Sequence, residues 1–194
     1  MTFPLAALAA ADRWLLLKIN RDWTSRFLDM TMPVITDIHK VPWFAFGVAP
    51  VALGLWLWKG RKRSLQVLVV ASLAMGGADL LAHRVIKPSV ARLRPERAGE
   101  PVKMRAPANG AYGFPSNHAI NMGAAASVLT VAYPGGFWIF ASAAALIAYS
   151  RVYVGAHYPA DVLAGLALGV AIGWPWALLM LGGSGGASAK KKRK

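Results

Sequence analysis

The stretch from Val41 to Trp58, VPWFAFGVAPVALGLWLW, holds eighteen residues without a charge and is followed at once by KGRKR. A run of that length fits the hydrocarbon core of a bilayer as a helix, where every backbone polar group must be satisfied within the segment. Four further apolar runs follow, at about Leu65–Ile86, His118–Tyr133, Phe137–Tyr153 and Pro159–Leu181. With 56% hydrophobic residues and a mean hydropathy of +0.43, the chain reads as all-α: a polytopic membrane helix bundle of five or six spans. Small residues crowd the later runs (GAAAS, ASAAA, AGLALG), as expected where membrane helices approach closely. Pro50 predicts a kink in the first span.

Before that span, residues 1–40 carry Asp12, Arg13, Lys18, Asp22, Asp29 and Asp37. They suit amphipathic or partly embedded helices better than a lipid-exposed span. No basic segment precedes the Ala-rich start, which argues against a cleaved signal peptide. The expected organisation is therefore an N-terminal segment (1–40), a membrane domain (41–182) and a flexible polybasic tail (183–194) attracted to anionic lipid.

The net charge of +14 comes without a nucleic-acid-binding motif, so topology and an anionic ligand explain it better than nucleic acid does. Absence of cysteine excludes disulfides and thiolate metal sites, and no group of His, Asp and Glu stands at metal-ligand spacing. Nothing in the sequence sets an oligomeric state. With KGRKR on the cytoplasmic side, counting spans puts the Tyr133 turn and the tail inside. The Lys87–Asn117 and Arg151–Tyr158 loops then fall outside, on one face. Seven cations, Arg84, Lys87, Arg92, Arg94, Arg97, Lys103 and Arg105, then sit on the side that usually lacks them, and an anion to be bound would account for the exception.

Three short motifs occupy that face: KPSVARLRP from Lys87 to Pro95, PSNH from Pro115 to His118, and SRVYVGAHYPAD from Ser150 to Asp161. Their order and spacing resemble the type 2 phosphatidic acid phosphatase family of integral membrane lipid phosphatases, related to vanadium haloperoxidases. The resemblance runs from about Leu65 to Leu181. It implies a lipid phosphate substrate, a metal-independent reaction without cofactor, and roles position by position: Lys87, Arg94, Ser116, Asn117 and Arg151 bind phosphate, His157 is the nucleophile, His118 the acid and base, and Asp161 the orienting carboxylate. Many family members carry Gly where this chain has Asn117.

These residue types also make chemical sense by themselves. Transfer of a phosphoryl group is mostly positioning and charge stabilisation; Arg supplies a planar fork for two oxygens and Lys a point charge. Ser116 and Asn117 fall at a helix start, where free N–H groups favour anions. Pro159 fits a first helical turn, which places Asp161 where it can reach back to the His157 imidazole. It is also the sole acidic residue after Glu100.

His39, Arg92, Arg97, Lys103 and Arg105 read as interface or packing residues. Asp79 and His83 share a helical face and either support Lys87 or pair with each other or Arg84. Undecaprenyl diphosphate is the first-choice substrate, ahead of phosphatidylglycerol phosphate, phosphatidate and lipid A 1-phosphate. The expected location is a bacterial cytoplasmic membrane with the active-site loop outside. A lipid-phosphate binding or transport protein without turnover competes with this reading; a haloperoxidase fits poorly, since those relatives are soluble.

Overall fold

The computed structural model describes residues 3–182; the polybasic tail at 183–194 lies outside the described residues. Helices make up the described fold. α1 (Phe3–Leu17) continues through a π-helical turn, Lys18–Asp22. α2 (Arg26–Thr36) starts at Ser25, whose Oγ accepts from Leu28 N at 3.2 Å, a side-chain cap of the usual kind. A 3-10 turn, Ile38–Lys40, leads to the long apolar segment.

A π-helical turn at Phe44–Val48 precedes α3 (Ala49–Leu81), so the wider winding falls immediately before Pro50. A proline ring crowds the carbonyl four residues back, and a wider turn is one way to relieve it. α3 breaks at Arg61, with φ 43° and ψ −121°. Ser64 Oγ donates to Trp56 O at 2.9 Å, although eight residues of straight helix would separate them by about 12 Å. The two expected spans therefore meet at a sharp bend inside KGRKR. Beyond α3, a π-helical turn (Ala82–Ile86) and α4 (Lys87–Val90) carry the helix on to Ala91, which ends it in the left-handed conformation at φ 49°. Lys87, expected to open the loop, instead sits on this terminal turn. Backbone hydrogen bonding outlasts the fall in hydrophobicity by one turn, and Pro88 is tolerated at its start.

α5 (Asn117–Ala132), α6 (Phe137–Tyr153) and α7 (Pro159–Leu181) follow the last three apolar runs, with a short turn, Pro134–Gly136, between the first two. The segments Phe44–Val90, Pro134–Tyr153 and Pro159–Leu181 are long and apolar enough to cross a membrane. Their outer faces leave Val51, Leu55, Leu73, Ile139, Leu163 and Leu179 exposed, as a lipid-facing surface would. α5 is shorter and sheltered: Ala119, Ile120, Ala124 and Val128 are fully buried.

The α5–α7 contact sets the site. A side chain added at Gly165 or Gly173 would stand 2.8 Å from Ser116 O or 2.7 Å from Ala124 O, and one at Gly169 would collide with Ile120 O. With lipid as solvent there is little hydrophobic drive between helices, and close backbone approach at small residues supplies the packing instead. The crossing is locked at the site end, where Ser116 N donates to Asp161 O at 3.0 Å.

Candidate active site

Each motif reaches the site by a different local device. In SRVYVGAHYPAD, α6 ends as Val154 N and Ala156 N close back on Ser150 O and Arg151 O. Gly155 then turns the chain at φ +84°, where a side chain would press on Met104, Lys103 O and Asn20. Glycine adopts that conformation without strain. The turn leaves His157 2% exposed one helical turn before Asp161, which is fully buried. Asp161 Oδ2 accepts from Tyr158 N at 3.0 Å and lies 3.5 Å from His157 Nδ1. That spacing is long for a hydrogen bond, as catalytic pairs often are before substrate binds. Facing Asp161, Nδ1 is the nitrogen that carries the ring proton, which leaves the Nε2 lone pair aimed at the cavity. Burial, and then Arg94 and Arg151, pull the imidazole down to about 3 against the opposing Asp161 carboxylate. His157 is therefore neutral at ordinary pH.

The loop after Ala91 folds back on itself. Arg94 N donates to Ala111 O at 3.0 Å and Gly113 N to Arg92 O at 2.7 Å, so Arg92 and Arg94 share one side of an extended segment. Arg94 is anchored through Nε to Gly110 O, Nη2 to Asn109 O and Nη1 to Ala156 O, and its Nη1 stands 2.8 Å from His157 Nε2. Lys87 is buried and donates to Pro115 O at 2.8 Å. Arg151, 4% exposed, donates through Nη1 to Thr36 Oγ1 at 2.8 Å.

Lys87, Arg94, Asn117, His118, Arg151 and His157 line one cavity of about 530 Å³, together with Asp37, Lys40 and His83. Ser116 and Asp161 stand behind this wall. Four of the lining side chains hold a buried polar atom with no hydrogen-bond partner: Asp37 Oδ1, Asn117 Oδ1, Arg151 Nε and His157 Nδ1. Ser116 Oγ, unspent on capping α5, is a fifth. Of these, Arg151 Nε and Ser116 Oγ are the donors that an anion in the cavity would satisfy.

Four residues, Arg92, Asp12, Asp37 and Asp79, have contacts that sequence reasoning did not foresee. Arg92, read as an interface or packing residue, donates from Nη1 to Asp161 Oδ1 at 2.8 Å and from Nη2 to Asp12 Oδ2 at 2.5 Å, and stacks 4.0 Å over Tyr158. Asp12 also accepts from Ala160 N at 2.8 Å, so α1 braces the start of α7. Asp37 Oδ1 lies 3.5 Å from His118 Nε2. Asp79 takes the Asn117 side-chain amide, a pairing with neither Lys87 nor His83. Neither Arg92, on an extended segment too short to show a period, nor Asp37 had a sequence signal. Arg105 does anchor structure, with Nε 2.6 Å from Asp29 Oδ1 and Nη1 2.8 Å from Asn20 O. Asp37, His39 and His118 also converge, with donor atoms all within 4.8 Å of one another, a grouping that sequence spacing hides.

Residues 65–182 match the PAP2 superfamily. The chain is 36% identical over 121 residues to an undecaprenyl-diphosphatase of Sulfolobus acidocaldarius, covering 62% of this chain and 57% of that protein. It is 31% identical over 180 residues to a lipid A 4'-phosphatase of Bacteroides thetaiotaomicron, covering 86% and 76%. The crystal structure of the transmembrane PAP2-type phosphatidylglycerolphosphate phosphatase of Bacillus subtilis superposes with a TM-score of 0.62 at 23% identity, covering 88% of this chain and 84% of that one.

Proposed function

The chain belongs to the PAP2 superfamily, and on that premise we propose that it hydrolyses a lipid phosphomonoester or diphosphate, undecaprenyl diphosphate first among candidates, through a phosphohistidine. One observation carries the reading: buried His157 lines a cavity walled by Lys87, Arg94 and Arg151, with Nε2 2.8 Å from the Arg94 guanidinium that an anion would engage.

In the proposed cycle, the phosphoryl oxygens take the guanidinium of Arg94 away from His157 Nε2, and Lys87, Arg151, Ser116 and the N–H groups at the start of α5 hold the rest of the charge. His157 Nε2 attacks phosphorus as the bond from phosphorus to the lipid oxygen breaks. His118 gives its proton to that leaving oxygen. Asp161 stabilises the imidazolium while Nδ1–H stays in place. His118 then takes a proton from water, whose oxygen attacks phosphorus, and the P–N bond breaks to release phosphate and the free imidazole. Asn117 spends its side-chain N–H on Asp79, so what it offers the anion is its backbone N–H at the start of α5.

The site faces outward on the basis of KGRKR at the opposite end of the flanking helices. The test is phosphate release by the purified protein from undecaprenyl diphosphate, phosphatidylglycerol phosphate, phosphatidate and lipid A 1-phosphate, with a base-stable, acid-labile phosphoryl label expected on the wild type. Release of phosphate at the wild-type rate by His157→Ala rules the mechanism out, and absence of release from every lipid favours binding without turnover.

A further inference from the structure

Asp37, His39 and His118 meet beside the cavity although no motif joins them. His118 Nε2 is 3.5 Å from Asp37 Oδ1, and the His39 and His118 rings lie 6.1 Å apart, tilted by 48°. The two oxygens of Asp37 are used differently. Oδ2 takes the Lys40 ammonium at 3.0 Å, whereas Oδ1 is buried and has no hydrogen-bond partner. The carboxylate oxygen with unspent lone pairs is thus the one that faces the imidazole.

We infer that these three side chains form an inhibitory site for Zn²⁺ or a similar nitrogen-preferring divalent metal, which acts by occupying His118. Two imidazoles and one carboxylate with a fourth position left open are a donor set that suits zinc. Bonds of about 2.1 Å to a tetrahedral ion place donors about 3.4 Å apart. Donors now within 4.8 Å reach that spacing through modest rotation, for which His39 is free because it is exposed. Mg²⁺ and Ca²⁺ require mostly oxygen ligands, and a single carboxylate does not supply them. Lys40 and Arg151 raise the local potential and weaken any cation here, which fits reversible inhibition and not a resident cofactor. A metal on Nε2 displaces the Asp37 contact, and its charge keeps a further proton off the ring, so His118 no longer serves as the acid. The inhibition rests on the reading of His118 as acid and base; the metal site itself does not.

The experiment uses the purified full-length chain in detergent and a variant, His39→Gln, which removes one donor from an exposed turn outside the catalytic machinery. Competition with a chromogenic chelator should give one Zn²⁺ per wild-type chain and at least about tenfold weaker binding in the variant. Zinc should inhibit phosphate release by the wild type, EDTA should restore it, and half-inhibition in the variant should move to higher zinc by the same factor, with activity unchanged when metal is absent. Mg²⁺ should do neither. Equal zinc binding by the two proteins overturns the site, and binding without inhibition overturns its effect. If neither protein releases phosphate from lipid, the functional reading fails while the chelator titration still decides the metal site. His39→Ala should repeat the shift.

Discussion

Two histidines face one cavity, and they are held in opposite ways. His157 is 2% exposed, and its partner Asp161 is fully buried. That carboxylate is gripped by Arg92, by the Tyr158 N–H and by the first turn of α7. The His118 side chain is 33% exposed, and its partner Asp37 sits at the end of α2, tied to Lys40 in the turn that follows. The buried pair is set before substrate arrives. The open pair has room to exchange protons with the leaving group and with water. In the proposed cycle the nucleophile needs a fixed lone pair and the acid that becomes a base needs access, and the difference in burial suits His157 to the first task and His118 to the second.

Removing the rigid centre should have the largest effect. His157→Gln should lower kcat by at least about 10⁴-fold and abolish the phosphoryl label, because in the proposed cycle this ring is the nucleophile. The same substitution should flatten the pH dependence of stability. With His157 down at about 3 when folded and near 6.5 when unfolded, the unfolded chain binds the extra proton between those values. Wild-type stability therefore falls as pH drops from about 6.5 toward 3. Melting temperature in detergent, read across that window for both proteins, checks the sign; identical slopes would mean that the buried imidazole is not the group responsible.

Asp161→Asn comes next, with an expected loss of about 10²- to 10³-fold in kcat. It keeps the shape but neither fixes the Nδ1–H tautomer nor offsets the imidazolium. It also leaves the Arg92 guanidinium with Asp12 as its one remaining carboxylate, so thermal stability should fall together with rate. An unchanged rate would move the orienting role elsewhere.

The same contrast explains what the sequence made legible. His157 and Asp161 are four residues apart across a helix start, so Pro159 and the 3.6-residue repeat suffice to pair them. The helices α5, α6 and α7 announced themselves as apolar runs, and the glycines that seat α7 on α5 stood at helical spacing. Lys87 was misplaced by one turn because hydrophobicity ends sooner than backbone hydrogen bonding. Asp37 and His118 are separated by most of the bundle, and the turn that joins them in space has no local pattern. Arg92 was hidden for another reason: its role depends on Asp12, in a segment that reads as peripheral, and on an extended pairing of residues 92–94 with 111–113 that is too short to show a period.

Arg92 tests whether the buried pair is rigid because of its clamp. Arg92→Ala should lower kcat by about 10- to 100-fold with KM nearly unchanged, the signature of lost positioning and not lost binding. Removing one partner of a buried ion pair costs about 3–5 kcal/mol, and the 29% exposure of the Arg92 side chain puts this case toward the lower end. Arg92→Lys should recover only part of the rate, since an ammonium cannot bridge Asp12 and Asp161 as a fork does. A rise in KM with kcat intact would instead place Arg92 among the phosphate ligands.

Asp37→Asn should have the smallest effect, because the open pair is supported from one side only. Asp37 is held below the usual carboxylate range: burial opposes ionisation, but the Lys40 ammonium, Arg151 and His118 outweigh it. The carboxylate is therefore charged at neutral pH and opposes the burial and the Arg151 charge that pull His118 down to about 4. Neutralising it should reduce kcat by about three- to tenfold at pH 7 and move the alkaline limb of the kcat profile to lower pH, since His118 must carry a proton to release the leaving group. The acid side should change little, because neutral His157 already has its lone pair free there. A uniform loss across all pH values would assign Asp37 to packing, and the two histidines would then differ in exposure without sharing the device of a paired carboxylate.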